Sequence, residues 1–368
     1  MIAFIIILTL FAVSCSSTHS HNSEALTPLY TPKYATSFSL DTDSLSRDIL
    51  TITNPYQSDK PFEQRVYLLR DSQSAPKGAM SLRVPVAKIC CMSSSHIAML
   101  DAVGASQSIV GVSGVKFVTN SAVRSNAVEI GYDSALDFER IKAVGTDVIL
   151  LYGLYGEDVA TTTKLTQLGI PYIYIGDYIE TSPLGKAEWI VALSALCGAQ
   201  ERGEEYFNGL ESRYNTLKQS AQHFDSHPKV MLNTPYRDSW FMPSVRSYAV
   251  ELISDAGGEY IYPQNNSAES QPISLEQALI LASTADVWIN VGQASSLDQL
   301  KGENPKFATV PAVVNHRVYN NTKRTTTNGG SDFWESGAVN ADIVLRDMIM
   351  LLHHNAPTDS LYYYKRLE

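Results

Sequence analysis

The chain has 368 residues, 44% of them apolar, enough to bury two α/β lobes of ordinary domain size and too apolar for extended disorder. Its formal net charge of -10, with no local run of lysine or arginine, argues against nucleic acid as a partner. The four cysteines do not form a disulfide framework, because Cys15 lies in the leader, Cys90 and Cys91 are adjacent, and Cys197 falls in a helical pattern.

Residues 1–15 read as a leader. Met1 to Ser14 is the one long apolar run, shorter than the roughly 20 residues a helix needs to span a bilayer, so an export signal is expected. Ala12-Val13-Ser14-Cys15 resembles a bacterial lipoprotein cleavage box, which implies lipidation of Cys15, although no lysine or arginine precedes the run. Ser16 to Ser23 carries no acidic cluster, so the expected location is the periplasm, lipid-anchored to a membrane.

Residues 16–82 form an N-terminal extension. It is rich in Thr, Ser, Tyr and Pro, and the alternating runs Ser46 to Thr53 and Gln64 to Leu69 predict strands. Residues 83–182 read as an α/β lobe. Arg83 to Met92 predicts a strand, Ser93-Ser94-Ser95-His96 caps a helix, and strands follow at Ser108 to Val112, Asp147 to Tyr152 and Ile170 to Ile175. Strands alternating with helices indicate a parallel sheet covered on both faces.

Residues 183–226 hold the longest helical pattern, with Trp189, Leu193, Leu196, Phe207, Leu210, Tyr214 and Leu217 on one face. Unbroken, roughly 40 residues would cover about 60 Å, so one long helix bridging two lobes is predicted. The alternative is two packed core helices, since Gly198 and Gly203 punctuate the pattern. Residues 227–352 repeat the plan of the first lobe, with a strand at Lys229 to Asn233, a helix from Ser247 to Ala256, the Gly257-Gly258-Glu259 turn, strands at Asp286 and Arg317, and a closing helix. A polar tail, 353–368, follows.

One motif occurs in both lobes. Leu136-Asp137-Phe138-Glu139-Arg140-Ile141 runs on to Asp147-Val148-Ile149-Leu150, and Ile273-Ser274-Leu275-Glu276-Gln277-Ala278-Leu279 runs on to Asp286-Val287-Trp288-Ile289. Each copy reads as a short amphipathic helix entering a buried strand, with its glutamate exposed beside the apolar stripe. Two matching acidic points suggest a partner that touches both lobes.

With Pro183-Leu184-Gly185-Lys186-Ala187-Glu188-Trp189-Ile190, the Gly257-Gly258-Glu259 turn and Asp332-Phe333-Trp334-Glu335-Ser336-Gly337, these motifs resemble the periplasmic substrate-binding proteins of ABC importers for iron–siderophores, haem and cobalamin. The resemblance runs from about Val84 to the C-terminus. It implies two Rossmann-like lobes with mostly parallel sheets, joined by one long rigid helix, and a ligand held in a shallow cleft between them. It also implies that Glu139 and Glu276 meet arginines of the inner-membrane permease. A monomer is expected, with no resident cofactor or metal and no nucleic-acid partner.

Ligand residues should lie where strands end and helices begin. His96 fits that position, and so do Tyr152 and Tyr155 after one strand and Tyr132 in the loop before it; His96 could equally be a cap, and any single tyrosine packing. In the second lobe Tyr236, Arg237 and Trp240 follow the first strand, where an arginine beside aromatics suits a carboxylate-bearing ligand; the alternative pairs Arg237 with Asp238 or another local carboxylate and puts Trp240 in the core. Arg324 and Trp334 come from a later loop and line the same cleft, or Trp334 and Glu335 pack against and cap the final helix. The two arginines favour an iron complex, siderophore or haem, over a corrinoid.

Rival readings rest on less. The two glutamates occupy separate lobes and not one convergent pocket, as glycoside hydrolysis would require. Gly111-Val112-Ser113-Gly114 is followed by Val115, not the glycine of a nucleophile elbow, and His223 with His227 lacks the glutamate of a zinc-protease helix. A bare-metal receptor would need several histidines and carboxylates converging from both lobes.

Overall fold

The computed structural model describes residues 26–58, 60–132, 135–153, 156–355 and 357–368. Cys15 and Tyr155 lie outside them.

Alternating side chains in the N-terminal extension make a half-buried antiparallel meander. Strands β1 (Thr27–Tyr30), β2 (Phe38–Thr42), β3 (Asp48–Thr53), β4 (Glu63–Leu69) and β5 (Met80–Arg83) pair in sequence order. Only the last pair is parallel.

The first α/β lobe follows as β6 (Ile89–Cys91), α1 (Ser94–Ala102), β7 (Ile109–Val112), α2 (Ser121–Asn126), β8 (Val128–Glu129), the hairpin β9 (Gly131–Tyr132) and β10 (Ala135–Leu136), α3 (Phe138–Ala143), β11 (Val148–Leu151), α4 (Val159–Leu168) and β12 (Tyr172–Tyr174). Its five-stranded sheet is parallel, in the order β12-β11-β6-β7-β8. Polar caps start the helices: the side chains of Ser93, Asn120, Asp137 and Asp158 each accept an N–H of the following turn.

The predicted single bridge is two helices, α5 (Pro183–Leu196) and α6 (Gln200–Ala221). Gly198, with φ of 62°, takes the left-handed conformation that ends the first helix. The two also bury different amounts of surface. All but one residue of α5 is buried, whereas α6 buries a single stripe through Phe207, Leu210 and Tyr214. A Cβ at Gly203 would lie 2.1 Å from Ser194 Oγ, so the helices touch at that turn.

The extension is bound to this helical pair. Buried Glu188 accepts the backbone N–H groups of Lys33, Tyr34 and Ala35 and the Tyr30 hydroxyl, at 2.6 to 2.8 Å. Lys33 and Tyr34 also bond to Glu211 of α6. Gln64 bonds to the Tyr172 carbonyl and the Tyr174 N–H, capping the free edge of β12.

The second lobe runs β13 (Lys229–Leu232), β14 (Ser239–Met242), α7 (Tyr248–Asp255), β15 (Glu259–Tyr260), β16 (Gln271–Ser274), α8 (Leu275–Ala282), β17 (Val287–Ile289), α9 (Leu297–Glu303), α10 (Pro311–Val314), β18 (Val318–Asn320), α11 (Ala341–His353) and β19 (Lys365–Arg366). Its sheet order is β15-β13-β17-β18-β19, with only β19 antiparallel. Residues 353–368, expected as a polar tail, therefore complete this lobe. Tyr363, Tyr364 and Leu367 are fully buried, and the buried Asp347 carboxylate accepts the N–H groups of Tyr362, Tyr363 and Tyr364.

The two lobes repeat one device. In each, an antiparallel pair leads into the glutamate helix, and that helix leads into the strand beside the lobe's first strand. Asp147 Oδ2 accepts the Lys88 N–H at 2.9 Å, and Asp286 Oδ2 accepts the Lys229 N–H at 2.8 Å. In return the N–H groups of Asp147 and Asp286 donate to the carbonyls of Lys88 and Lys229.

Candidate ligand site between the lobes

Parallel strands end in loops, and the carboxyl ends of an open α/β sheet are where ligands bind. Two such loops meet. The loop after β7 (113–120) lies against the loop after β18 (321–338), which joins the lobes along a seam. Glu335 accepts the N–H groups of Thr119 and Asn120, both at 2.7 Å, and Asp332 Oδ1 accepts the Thr119 hydroxyl at 3.1 Å. The Ser94 hydroxyl donates to the Trp334 carbonyl, and the Asn328 amide to the Lys116 carbonyl. Burial pushes the Glu335 carboxyl above its usual range, and its bonds to Thr119 and Asn120 pull it part of the way back.

The seam leaves a chamber of about 840 Å³ on one side. Lys116, Asn120 and Arg124 come from the first lobe, Lys323, Arg324, Asp332 and Tyr362 from the second, and Tyr206 from α6. Arg124 donates to the carbonyls of Val118 and Thr119, and Lys323 to those of Thr358 and Leu361, so these two charges meet backbone dipoles. Arg324 is paired to Asp332 at 2.5 Å and stacks on Tyr362, which leaves it half exposed. The wall is thus polar and hydroxyl-rich, with Lys116, Arg124, Lys323 and Arg324 set against Asp101, Asp332 and Glu335, a slight excess of cations in a chain of net charge -10. Among the described residues no histidine, cysteine or methionine lines it. Across the seam lies a smaller groove of about 270 Å³, bounded by Ser94, Gly114, Phe117, Gly330 and Trp334.

Arg324 and Trp334 therefore reach the seam from one loop, on opposite sides of it. Tyr132, exposed at the tip of β9, lies within reach of that groove, since a Cβ at Gly114 would meet both Tyr132 and Phe117 at 3.1 Å. Tyr152 borders a separate pocket of about 190 Å³ within the first lobe. Tyr236 and Arg237 form an exposed turn between β13 and β14, with the guanidinium 5.3 Å from the Tyr236 ring centre. Glu139 and Glu276 are exposed in the first turns of α3 and α8.

Two expected cleft residues are elsewhere. Trp240 is fully buried against Trp288 and Phe307, its indole donating to the Leu232 carbonyl; within β14 it faces the core and Phe241 faces out. His96 is also fully buried, on α1, which packs against α5. Its Nε2 lies 3.8 Å from Asp177, which is bonded to Lys186 at 2.7 Å. Burial lowers the His96 pKa to about 4. Burial alone would raise Asp177, but Lys186 and His96 more than offset it and hold the carboxyl below its ordinary value.

Sequence reasoning passed over Lys116, Asn120, Arg124, Tyr206 and Tyr362. The available signal was the Ser/Asn-rich loop after the second strand of the lobe, where a strand end meets scattered cations.

Two α/β lobes with mostly parallel sheets, linked through α5 and α6 and facing a shared seam with their strand ends, define the two-lobed binding-protein class. The chain belongs to the periplasmic binding protein family, whose pattern matches residues 89–325. An uncharacterized lipoprotein of Methanocaldococcus jannaschii is 28% identical over 335 residues, spanning 83% of this chain and 78% of that one. Among solved structures, a periplasmic haem binding protein from Pseudomonas aeruginosa superposes with a TM-score of 0.59 at 16% identity, covering 77% of this chain and 98% of that one. The siderophore binding protein of Vibrio cholerae in its Fe3+–Desferal complex gives 0.55 at 16% identity, covering 73% and 99%. The periplasmic vitamin B12 binding protein of Vibrio cholerae gives 0.54 at 16% identity, covering 73% and 97%.

Proposed function

We propose that this chain is the substrate-binding component of an ABC importer, capturing an anionic iron chelate in the interlobe chamber and handing it to a membrane permease. The observation that carries the ligand class is the chamber wall, where Lys116, Arg124, Lys323 and Arg324 outnumber the carboxylates Asp101, Asp332 and Glu335, the last two bonded to Thr119 and Asn120, around a space of about 840 Å³ with Tyr206 and Tyr362. That volume falls within the roughly 300–1,000 Å³ of small-molecule sites. Cations with planar donors suit carboxylates or other oxyanions. Among the described residues the wall offers no imidazole, thiol or thioether, and its only side chains of a kind that ligates haem iron are the tyrosines Tyr206 and Tyr362, so the preference for a chelate that brings its own metal ligands over haem rests on the arginines and lysines. Haem and a corrinoid are the alternatives within the same class.

Glu139 and Glu276 support docking. They stand at equivalent places in the two lobes, and two separated charge pairs fix orientation even when each contributes only about 0.2–1 kcal/mol. Cys15, outside the described residues, would anchor the chain on the periplasmic face; relatives named as lipoproteins support this. The test is titration with a ferric tricarboxylate siderophore, haem and cobalamin in parallel. Saturable one-to-one binding of the first, with weaker binding of the other two, is expected; tightest binding of haem or cobalamin would reassign the cargo.

A further inference from the structure

We infer that Glu335 is a positioning residue that holds the two lobes at one spacing before any ligand arrives. The inference rests on the interlobe chamber being the ligand site. Glu335 is 3% exposed, and its two oxygens take consecutive N–H groups from a loop more than 200 residues away in sequence. An ionised acceptor makes these bonds roughly twice as strong as neutral ones.

The arrangement opposes a specific force. Lys116 and Arg124 on the first lobe share the chamber with Lys323 and Arg324 on the second, and these like charges, offset only in part by Asp101, favour separation of the lobes. Glu335 and Asp332 place carboxylates on the seam itself and tie both to the opposite lobe. Main chains touch beside them, since a Cβ at Gly330 would fall 1.7 Å from the Phe117 carbonyl oxygen. Only glycine permits that approach. The cations are thereby held in register in the empty protein, which removes the cost of closing around a ligand.

Glutamine at 335 keeps the shape but turns an NH2 toward one of the two N–H groups, so one bond becomes a clash of donors. Gly330→Ala separates the same loops by sterics alone. Spin labels on Lys142→Cys of α3 and Ser283→Cys after α8, both exposed, report the lobe spacing by pulsed electron resonance without any ligand. The unsubstituted seam should give one narrow distance distribution. Glu335→Gln and Gly330→Ala should each broaden it toward longer distances, and the Thr119 and Asn120 amides should exchange hydrogen about tenfold faster or more. An unchanged distribution in Glu335→Gln overturns the inference, even if the melting temperature falls or Gly330→Ala broadens. Because no ligand enters the measurement, its failure is distinct from failure of the receptor reading, which only titration tests.

Discussion

The Tyr30 hydroxyl donates to Glu188 Oε1 at 2.6 Å, joining the first strand of the N-terminal sheet to the most buried helix of the molecule. The same carboxylate takes three backbone N–H groups from residues 33–35, so the extension is an integral part of the first lobe.

Glu188→Ala leaves those four donors without their acceptor. Removing one partner of a buried charged network costs about 3–5 kcal/mol, so the urea midpoint should drop sharply. Glu188→Gln, which keeps one carbonyl acceptor, should cost less. Equal stability of Glu188→Ala and the parent would mean that the extension is not held at this point.

His96 sets a pH dependence. Its folded pKa of about 4 lies below the ordinary 6.5, so the unfolded chain binds the proton first. Stability from this group is complete above pH 6.5 and is lost as pH falls toward 4, by at most about 3 kcal/mol. Asp177, with its carboxyl held low, adds stability that is present above its unfolded value and lost at still lower pH. Urea unfolding at pH 7, 5.5 and 4.5 should therefore show a steeper decline for the parent than for His96→Gln. Parallel declines would contradict the assignment.

Gly203→Ala should separate α5 from α6. A Cβ there meets Ser194 Oγ at 2.1 Å and Ser194 Cβ at 2.7 Å, an overpacked contact of the kind that costs about 1–3 kcal/mol. Ser194→Gly in the same chain should recover much of the loss in a thermal melt; no recovery would place the strain elsewhere.

Glu139→Ala combined with Glu276→Ala should abolish uptake in cells while leaving ligand affinity unchanged. Both side chains are exposed and lie outside the chamber lining, so lost affinity would sink the docking role.

How far the residues themselves announced this depends on the range of the interaction. The paired glutamate helices were legible because their signals are local: Asp137 and Ser274 cap them, and Ser274 with Gln277 forms a capping box. Trp240 was also readable from Ser239-Trp240-Phe241-Met242, where period two puts tryptophan and methionine inward together. Gly198 signals a break, but a helical stripe that continues on both sides hides it. The bonds of Glu335 to Thr119 and Asn120 join residues in different lobes, and no local pattern marks such a pair. His96 stands at a strand end like a cleft residue; what buries it is the packing of α5, a tertiary fact.

An anionic chelate held in the chamber between the lobes should owe part of its affinity to Arg124. Isothermal titration of the parent and of Arg124→Ala with a ferric tricarboxylate siderophore tests it most directly. The parent should bind at one site per chain, and Arg124→Ala should bind at least about tenfold more weakly, the loss of a charge-assisted bond. Equal affinity in the two, or no binding to either, would contradict it.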